Sequence, residues 1–443
     1  MTRRLPRVLR FFDISVLASA SMGPAYSLAS TMGPMVAAAG FAAPLALGVL
    51  CAIMLCIAVS FAYLTRIAPN AGSSYSWIRS AFGPFAGGYG AWLLLLSNFF
   101  ATMAIAVPAG IYTLALVAPA HAQEPVWAAI VGAVWILASG ALLYAGVRPT
   151  AHVTLLALAF EICVLVIAAL VAALHAPVVA QVTAPAMPLP PAFGFAGFVM
   201  AMTLAVWMSD GWEVSASTSE EVDDSATASG RGGITGLVLT AVLLIACMYA
   251  FQHLGTLQGF TDNQADALAY VGSLLGGPWW RLAIVLTVLL STLSTLWTTI
   301  LYLSRSVYAM GRDGVLPRAL GRLDARNEPL VSMGAVCVLV TICELVTGFS
   351  KSAADQLTLV LNASSVFLGL LFVLSAAAAA KRFWAQPGAR LGGVLVPLLG
   401  AAALLAVLAA TVAVEDHKLS IYACAGVVLG IPFALWRGRA PRG

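Results

Sequence analysis

Charge is what this sequence has least of. Of its 443 residues only 9% are Asp, Glu, Lys or Arg, against about 25% in a soluble globular domain. Hydrophobic residues make up 61%, more apolar side chain than a water-soluble fold can hide, so soluble enzymes are excluded. Strand-like alternation is missing too. Runs such as LALGVLCAIMLCIAVSFAYL lack the period of two that a lipid-facing barrel strand requires. The seven cysteines lie singly in apolar segments with no CxxC pair, which suggests neither a disulfide framework nor a metal site. The five histidines (His121, His152, His175, His253 and His417) are scattered near segment ends without ligand or nucleophile spacing. A membrane-embedded enzyme is therefore a remote alternative. No GxxxxGK[ST] loop occurs, so no ATP-driven step and no cofactor is expected. No small-residue cleavage site follows MTRRLPRVLRFF at the right distance, and this stretch is expected to lead into a retained first span.

What the sequence has is apolar runs of about 20 residues, the length a hydrocarbon core of about 30 Å demands of a helix. They predict twelve helices at roughly 12–39, 42–64, 86–117, 125–147, 151–175, 194–220, 233–257, 278–310, 330–349, 355–380, 392–414 and 419–436. Connections are short, so residues 1–443 are expected to form a single membrane domain. Basic residues favour the cytoplasmic side. With both termini inside, that side carries nineteen: Arg3, Arg4, Arg7, Arg10, Arg66, Arg79, Arg148, Arg231, Arg305, Arg312, Arg318, Arg322, Arg326, Lys381, Arg382, Arg390, Arg437, Arg439 and Arg442. The other side carries three, Arg281, Lys351 and Lys418. The net charge of +4 thus reflects topology and needs no nucleic-acid partner. A multi-pass protein of the inner (cytoplasmic) membrane is expected, in contact with the lipid bilayer; its oligomeric state does not follow from composition.

Two spans carry helix-breaking chemistry near their middles. The first reads ASASMGPAYSLAS, with Gly23 and Pro24; the sixth reads AVWMSDGWEVSAS, with Gly211. Proline lacks a backbone donor and glycine costs about 1 kcal/mol in a helix interior. A kink is the bland reading of either. Their equivalent places in two five-helix halves point instead to a transporter's midplane site. The halves are expected at 12–175 (helices 1–5) and 194–380 (helices 6–10), with 392–436 forming peripheral helices 11 and 12.

Three stretches resemble the amino acid–polyamine–organocation (APC) permeases. The connection after span eight, SRSVYAMGRDGVLPRALGRLDARNEP, fits that family in Arg305, Tyr308, Ala309, Arg312, Asp313, Gly314, Leu316, Pro317 and Pro329. PNAGSSYSWIRSAFGPF after span two is similar to its P-x-A-G-S-x-Y stretch leading into F-G-P, and GWEVSASTSEEVDD to its G-x-E followed by an acidic cluster. The resemblance covers roughly residues 12–436. It implies an all-α LeuT-like five-plus-five inverted repeat with helices 1 and 6 broken. It also implies secondary active transport of amino acids or related organic amines, by proton or sodium symport or by exchange. A polyamine or amine exchanger and a sodium-coupled amino acid symporter are the alternatives; a channel is disfavoured because no filter motif occurs.

The same resemblance implies a substrate site at Ser21, Met22, Gly23, Ala25, Ser97, Asn98, Thr102, Trp207, Asp210 and Gly211. In an exchanger of the family a Trp six positions before the span-six Glu closes over the substrate, and Trp207 stands six before Glu213. Asp210 falls where that relative is apolar, and a carboxylate beside a broken helix suits an ammonium or guanidinium group. Pro24 stands where the relative has a backbone N–H for the substrate carboxylate, which favours amines. Glu161 and Glu213 are the expected proton-coupling or gating acids. Ser294 and Thr295 are the candidate sodium site. Glu344 is expected to be structural. The acidic cluster Glu220, Glu221, Asp223 and Asp224 is expected to pair with the arginines after span eight, as an inner gate or simply as a solvated helix end.

Overall fold

The computed structural model describes residues 4–183, 194–224, 227–349, 353–414 and 417–438. Arg3, Lys351, Arg439 and Arg442, counted above for orientation, lie outside them. In lipid every backbone polar group must be satisfied within its own segment, and the apolar runs accordingly fold as helices. In chain order these are α1 (Phe11–Ser21), α2 (Pro24–Ala39), α3 (Ala43–Ile67), α4 (Ser73–Phe82), α5 (Pro84–Val117), α6 (Pro125–Tyr144), α7 (Val147–Thr183), α8 (Phe195–Met208) and α9 (Val214–Ser217). They continue with α10 (Ala228–Leu254), α11 (Leu257–Asp262), α12 (Ala267–Leu275), α13 (Pro278–Arg312), α14 (Leu330–Thr347), α15 (Ala353–Phe383), α16 (Val396–Val414) and α17 (His417–Gly438).

Among the described residues nine segments are long and apolar enough to cross a bilayer. The first of these, Phe11–Ile67, holds the first two expected spans, while Phe195–Met208 and Ala425–Trp436 are apolar but shorter. The chain is a multi-pass membrane protein. Three helices fall where only connections were expected: α4 after span two, and α11 and α12 before span eight. Their lengths of 10, 6 and 9 residues are too short for a hydropathy window to register.

Both breaks are present. Gly23 sits at φ 54°, ψ 66°, a left-handed conformation that side chains disfavour. A Cβ there would also collide with the Thr295 hydroxyl. Pro24 then opens α2 at the first helical position, where a missing N–H costs nothing. The span-six helix stops at Met208, and Gly211, at φ 107°, turns the chain before α9. A Cβ on Gly211 would lie 2.5 Å from the Ser21 carbonyl oxygen and 3.0 Å from the Met22 nitrogen. The two breaks therefore abut, backbone against backbone.

Helix α10 packs on both broken helices through glycines. A Cβ at Gly232 would meet Ile14 of α1 at 2.5 Å, and one at Gly236 would meet the Cβ of Ala18 at 2.6 Å. One at Gly233 would strike the Ser215 hydroxyl of α9.

At the basic end the expected ion pairs form. The Arg305 guanidinium donates from Nε to Glu221 Oε2 (3.1 Å), and from Nη2 to Glu221 Oε1 (3.0 Å) and Glu328 Oε2 (2.9 Å). Arg305 is 1% exposed and Glu221 0%, so this cluster is interior rather than a solvated helix end. Arg312 donates to both Glu220 oxygens at 3.0 Å, and the Ala71 N–H donates to Glu220 Oε1 at 2.9 Å. The N-terminal segment joins in: the Val8 and Leu9 N–H groups donate to the Glu221 carbonyl, and the Asp223 N–H donates to Leu9. Asp224 instead accepts from the Thr227 hydroxyl. Span six, span eight, the loop before α14 and the N-terminus are thereby tied together below the breaks.

Candidate functional site

Where α1, α2, α5, α8 and α13 converge on the two breaks, they enclose a cavity of about 20 Å³. That is room for about one water, so a larger ligand requires its walls to separate. The cavity is bordered by Ser21, Met22, Tyr26, Ser27, Asn98, Ala101, Ile105, Trp207, Asp210, Gly211, Glu213, Thr295, Thr299 and Tyr302.

Its electrostatics are one-sided. Asp210 and Glu213 both accept from the Gly211 N–H, at 2.7 Å from Asp210 Oδ1 and 3.0 Å from Glu213 Oε2. One donor thus serves two carboxyl groups. No Lys, Arg or His borders the cavity, and neither acid has an ion-pair partner among the described residues. Two neighbouring acids without a cation can be neutralised by a proton or by a cationic ligand.

The tryptophan and tyrosine wall is set by a proline. Pro108, inside α5, has no N–H to give, so the Ala104 carbonyl loses its helical partner. The Tyr26 hydroxyl donates to that carbonyl at 2.8 Å. Tyr26 is thereby held in place and meets Trp207 edge to face, with ring centroids 6.4 Å apart and an interplanar angle of 81°. Met22, Ala101 and Ile105 add an apolar part to the lining.

Of the residues expected in the substrate site, Ser21, Met22, Asn98, Trp207, Asp210 and Gly211 border the cavity, as do Glu213 and Thr295 from the other expected sites. The remaining ones do not. The Ser97 hydroxyl donates to Leu94 O (3.2 Å) and that of Thr102 to Asn98 O (2.7 Å), so each is satisfied by its own helix. Ser294 likewise donates to Ser291 O (2.9 Å). Gly23 is turned toward Thr295. The Ala25 N–H donates to Glu161 Oε1 at 2.6 Å, which places both residues behind the break rather than in the cavity. Thr295 stands within donating distance of Ala20 O (3.1 Å) and Ser291 O (2.9 Å), joining span eight to span one.

Tyr26, Ser27, Ala101, Ile105, Thr299 and Tyr302 border the cavity unforeseen. For two of them a signal existed: Thr299 and Tyr302 follow Thr295 at i+4 and i+7, one face of a helix. Among the described residues no group of three or more His, Cys, Asp or Glu is placed to hold a metal ion.

The chain resembles known transporters in sequence and in fold. It is 26% identical over 308 residues to the branched-chain amino acid permease BcaP of Lactococcus lactis, a match covering 65% of this chain and 64% of that relative's length. It is 27% identical over 377 residues to an uncharacterized transporter of Mycobacterium tuberculosis, covering 83% of this chain and 81% of the relative. Its fold is similar to that of the crystal structure of MhsT in complex with L-phenylalanine, with a TM-score of 0.66 and 14% identity over 93% of this chain and 100% of that one. That likeness establishes the LeuT-like architecture of an all-helical chain with broken helices. The amino acid permease family model matches residues 9–429, nearly the whole chain, and the protein belongs to the amino acid permease family of the APC superfamily.

Proposed function

We propose that this permease moves organic amines or amino acids with apolar side chains across the cytoplasmic membrane by alternating access, coupled to protons. One observation carries the reading: Asp210 and Glu213 face a common cavity, share one N–H donor, and have no basic residue beside them. An ammonium group fits between them, and the apolar body of the ligand fits against Met22, Ala101, Ile105 and the Trp207 ring. Trp207 is the lid and Tyr26 its fixed counterpart. The apolar wall agrees in character with the branched-chain amino acids named for BcaP and the L-phenylalanine held by MhsT. Protons are the coupling ion because titratable acids are what the region offers. The ion-paired cluster around Arg305 is the cytoplasmic gate, with both termini on that side.

A second reading, sodium coupling at the span-one break, is favoured by Thr295 bridging to the Ala20 carbonyl. Uptake of isoamylamine and leucine into proteoliposomes separates the two. Saturable uptake driven by an inward proton gradient, without sodium or ATP, is expected. Non-saturating flux would overturn the carrier reading; a strict sodium requirement, lost in Thr295→Ala, would overturn the proton reading.

A further inference from the structure

The N-terminus of a broken helix exposes backbone N–H groups and the positive end of its dipole, and in transporters such ends are aimed at anionic groups of the substrate. In α2 these donors are already taken. Pro24 has no N–H. The Ala25 N–H donates to Glu161 Oε1 at 2.6 Å. The Tyr26 N–H donates to Ser291 Oγ at 3.1 Å, and the Ser291 hydroxyl donates in turn to the same Glu161 oxygen at 2.6 Å. The Ser27 N–H closes the first helical bond, on Gly23 O at 2.7 Å. Every donor of the first turn is thus consumed, two of them by way of one carboxyl oxygen. Glu161 is completely buried, and none of Glu161, Ala25 and Ser291 borders the cavity. Its carboxyl group reaches the helix end from α7.

We infer that Glu161 is the resident anion of the helix-one break and determines specificity: it occupies the helix end next to the cavity, where a ligand carboxylate would otherwise find backbone donors. The cavity is left with two acids and no positive element. A ligand bearing an ammonium but no carboxylate is therefore preferred over the amino acid with the same side chain. The inference rests on the cavity being the substrate site, and it narrows the substrate class to decarboxylated amines.

Matched pairs test it, using the purified full-length protein and ligand-induced thermal shifts titrated to saturation: isoamylamine against leucine, and phenethylamine against phenylalanine. Wild type is expected to bind each amine at least tenfold tighter than its amino acid. Glu161→Ala, which removes the buried acid and releases the Ala25 N–H and the Ser291 hydroxyl proton, should shrink that ratio at least tenfold. Glu161→Gln keeps an accepting oxygen and loses the charge, and should fall between. The ratio is the informative quantity, since general damage to the break weakens both members of a pair alike. An unchanged ratio in Glu161→Ala overturns the inference; if that variant does not fold, an unchanged ratio in Glu161→Gln does so. A wild type that prefers the amino acids overturns it as well. If binding depends on Asp210 while the ratio ignores Glu161, the cavity reading stands and only this inference falls. If no compound of either class binds wild type, both fall.

Discussion

Arg305→Met is expected to destabilise the folded protein by about 3–5 kcal/mol, the usual cost of removing one partner from a buried ion cluster. The substitution leaves Glu221 completely buried and Glu328 nearly so, facing each other without their shared guanidinium. Arg305→Lys should recover only part of the loss, because an ammonium cannot make the fork of two parallel bonds to Glu221. Adding Glu221→Gln and Glu328→Gln to Arg305→Met should recover more, by removing the stranded charges. Burial already pushes the Glu328 carboxyl above its ordinary range, opposed by Arg305. Without the arginine that shift grows, the folded state binds the proton more tightly than the unfolded chain, and the variant should gain stability as pH falls. Unfolding midpoints in detergent, measured at several pH values, check all of this. A midpoint for Arg305→Met equal to wild type would show that the cluster contributes nothing to folding.

Asp210→Asn is expected to leave the fold intact and weaken amine binding by more than 1 kcal/mol, rising to several if the ligand ammonium is desolvated. The asparagine side-chain oxygen can still accept from the Gly211 N–H, so the turn at the break keeps its bond. What disappears is half of the negative charge facing the cavity. The loss should be larger for amines and basic amino acids than for neutral ones. Equal affinities in mutant and wild type across such a panel, by the same thermal-shift titration, would sink the assignment. Asp210 would then serve proton linkage or packing.

The breaks were legible before the fold was seen because their cause is local: Gly23–Pro24 and Gly211 disrupt a helix whatever surrounds them. The arginine and acidic-cluster pairs were legible because topology alone brings them to one membrane face. Ser97, Thr102 and Ser294 do not border the cavity, and their spacing alone does not show it. A hydroxyl on a water-free helix finds an acceptor one turn back on its own backbone, as all three do and as the cavity-lining Thr295 and Thr299 also do. Spacing can say that such residues share a face, but not that they turn outward. Glu161 could be suspected from charge alone, yet its partners lie 136 and 130 residues away, and no local pattern carries that. Tyr26 depends on a carbonyl freed by a proline in another helix, a link that exists only in three dimensions.

The glycines of α10 bear on rate rather than on affinity. Interlocked side chains must leave one set of rotamer wells before they enter another, which makes a packed interface step between discrete arrangements. Along Gly232, Gly233 and Gly236 that face of α10 has no side chains to interlock, and α1 and α9 lie directly on its backbone. Such a contact is expected to work as a smooth bearing: on the proposed cycle the two broken helices would slide along a common rail with little friction, leaving turnover to be limited by unlocking the Arg305 cluster. Roughening the rail should then act as a brake. A Cβ at Gly236 would press on Ala18 at 2.6 Å, so Gly236→Ala should lower the maximal transport rate several-fold before it alters the half-saturating concentration. An unchanged rate would mean that α10 travels with the helices it carries.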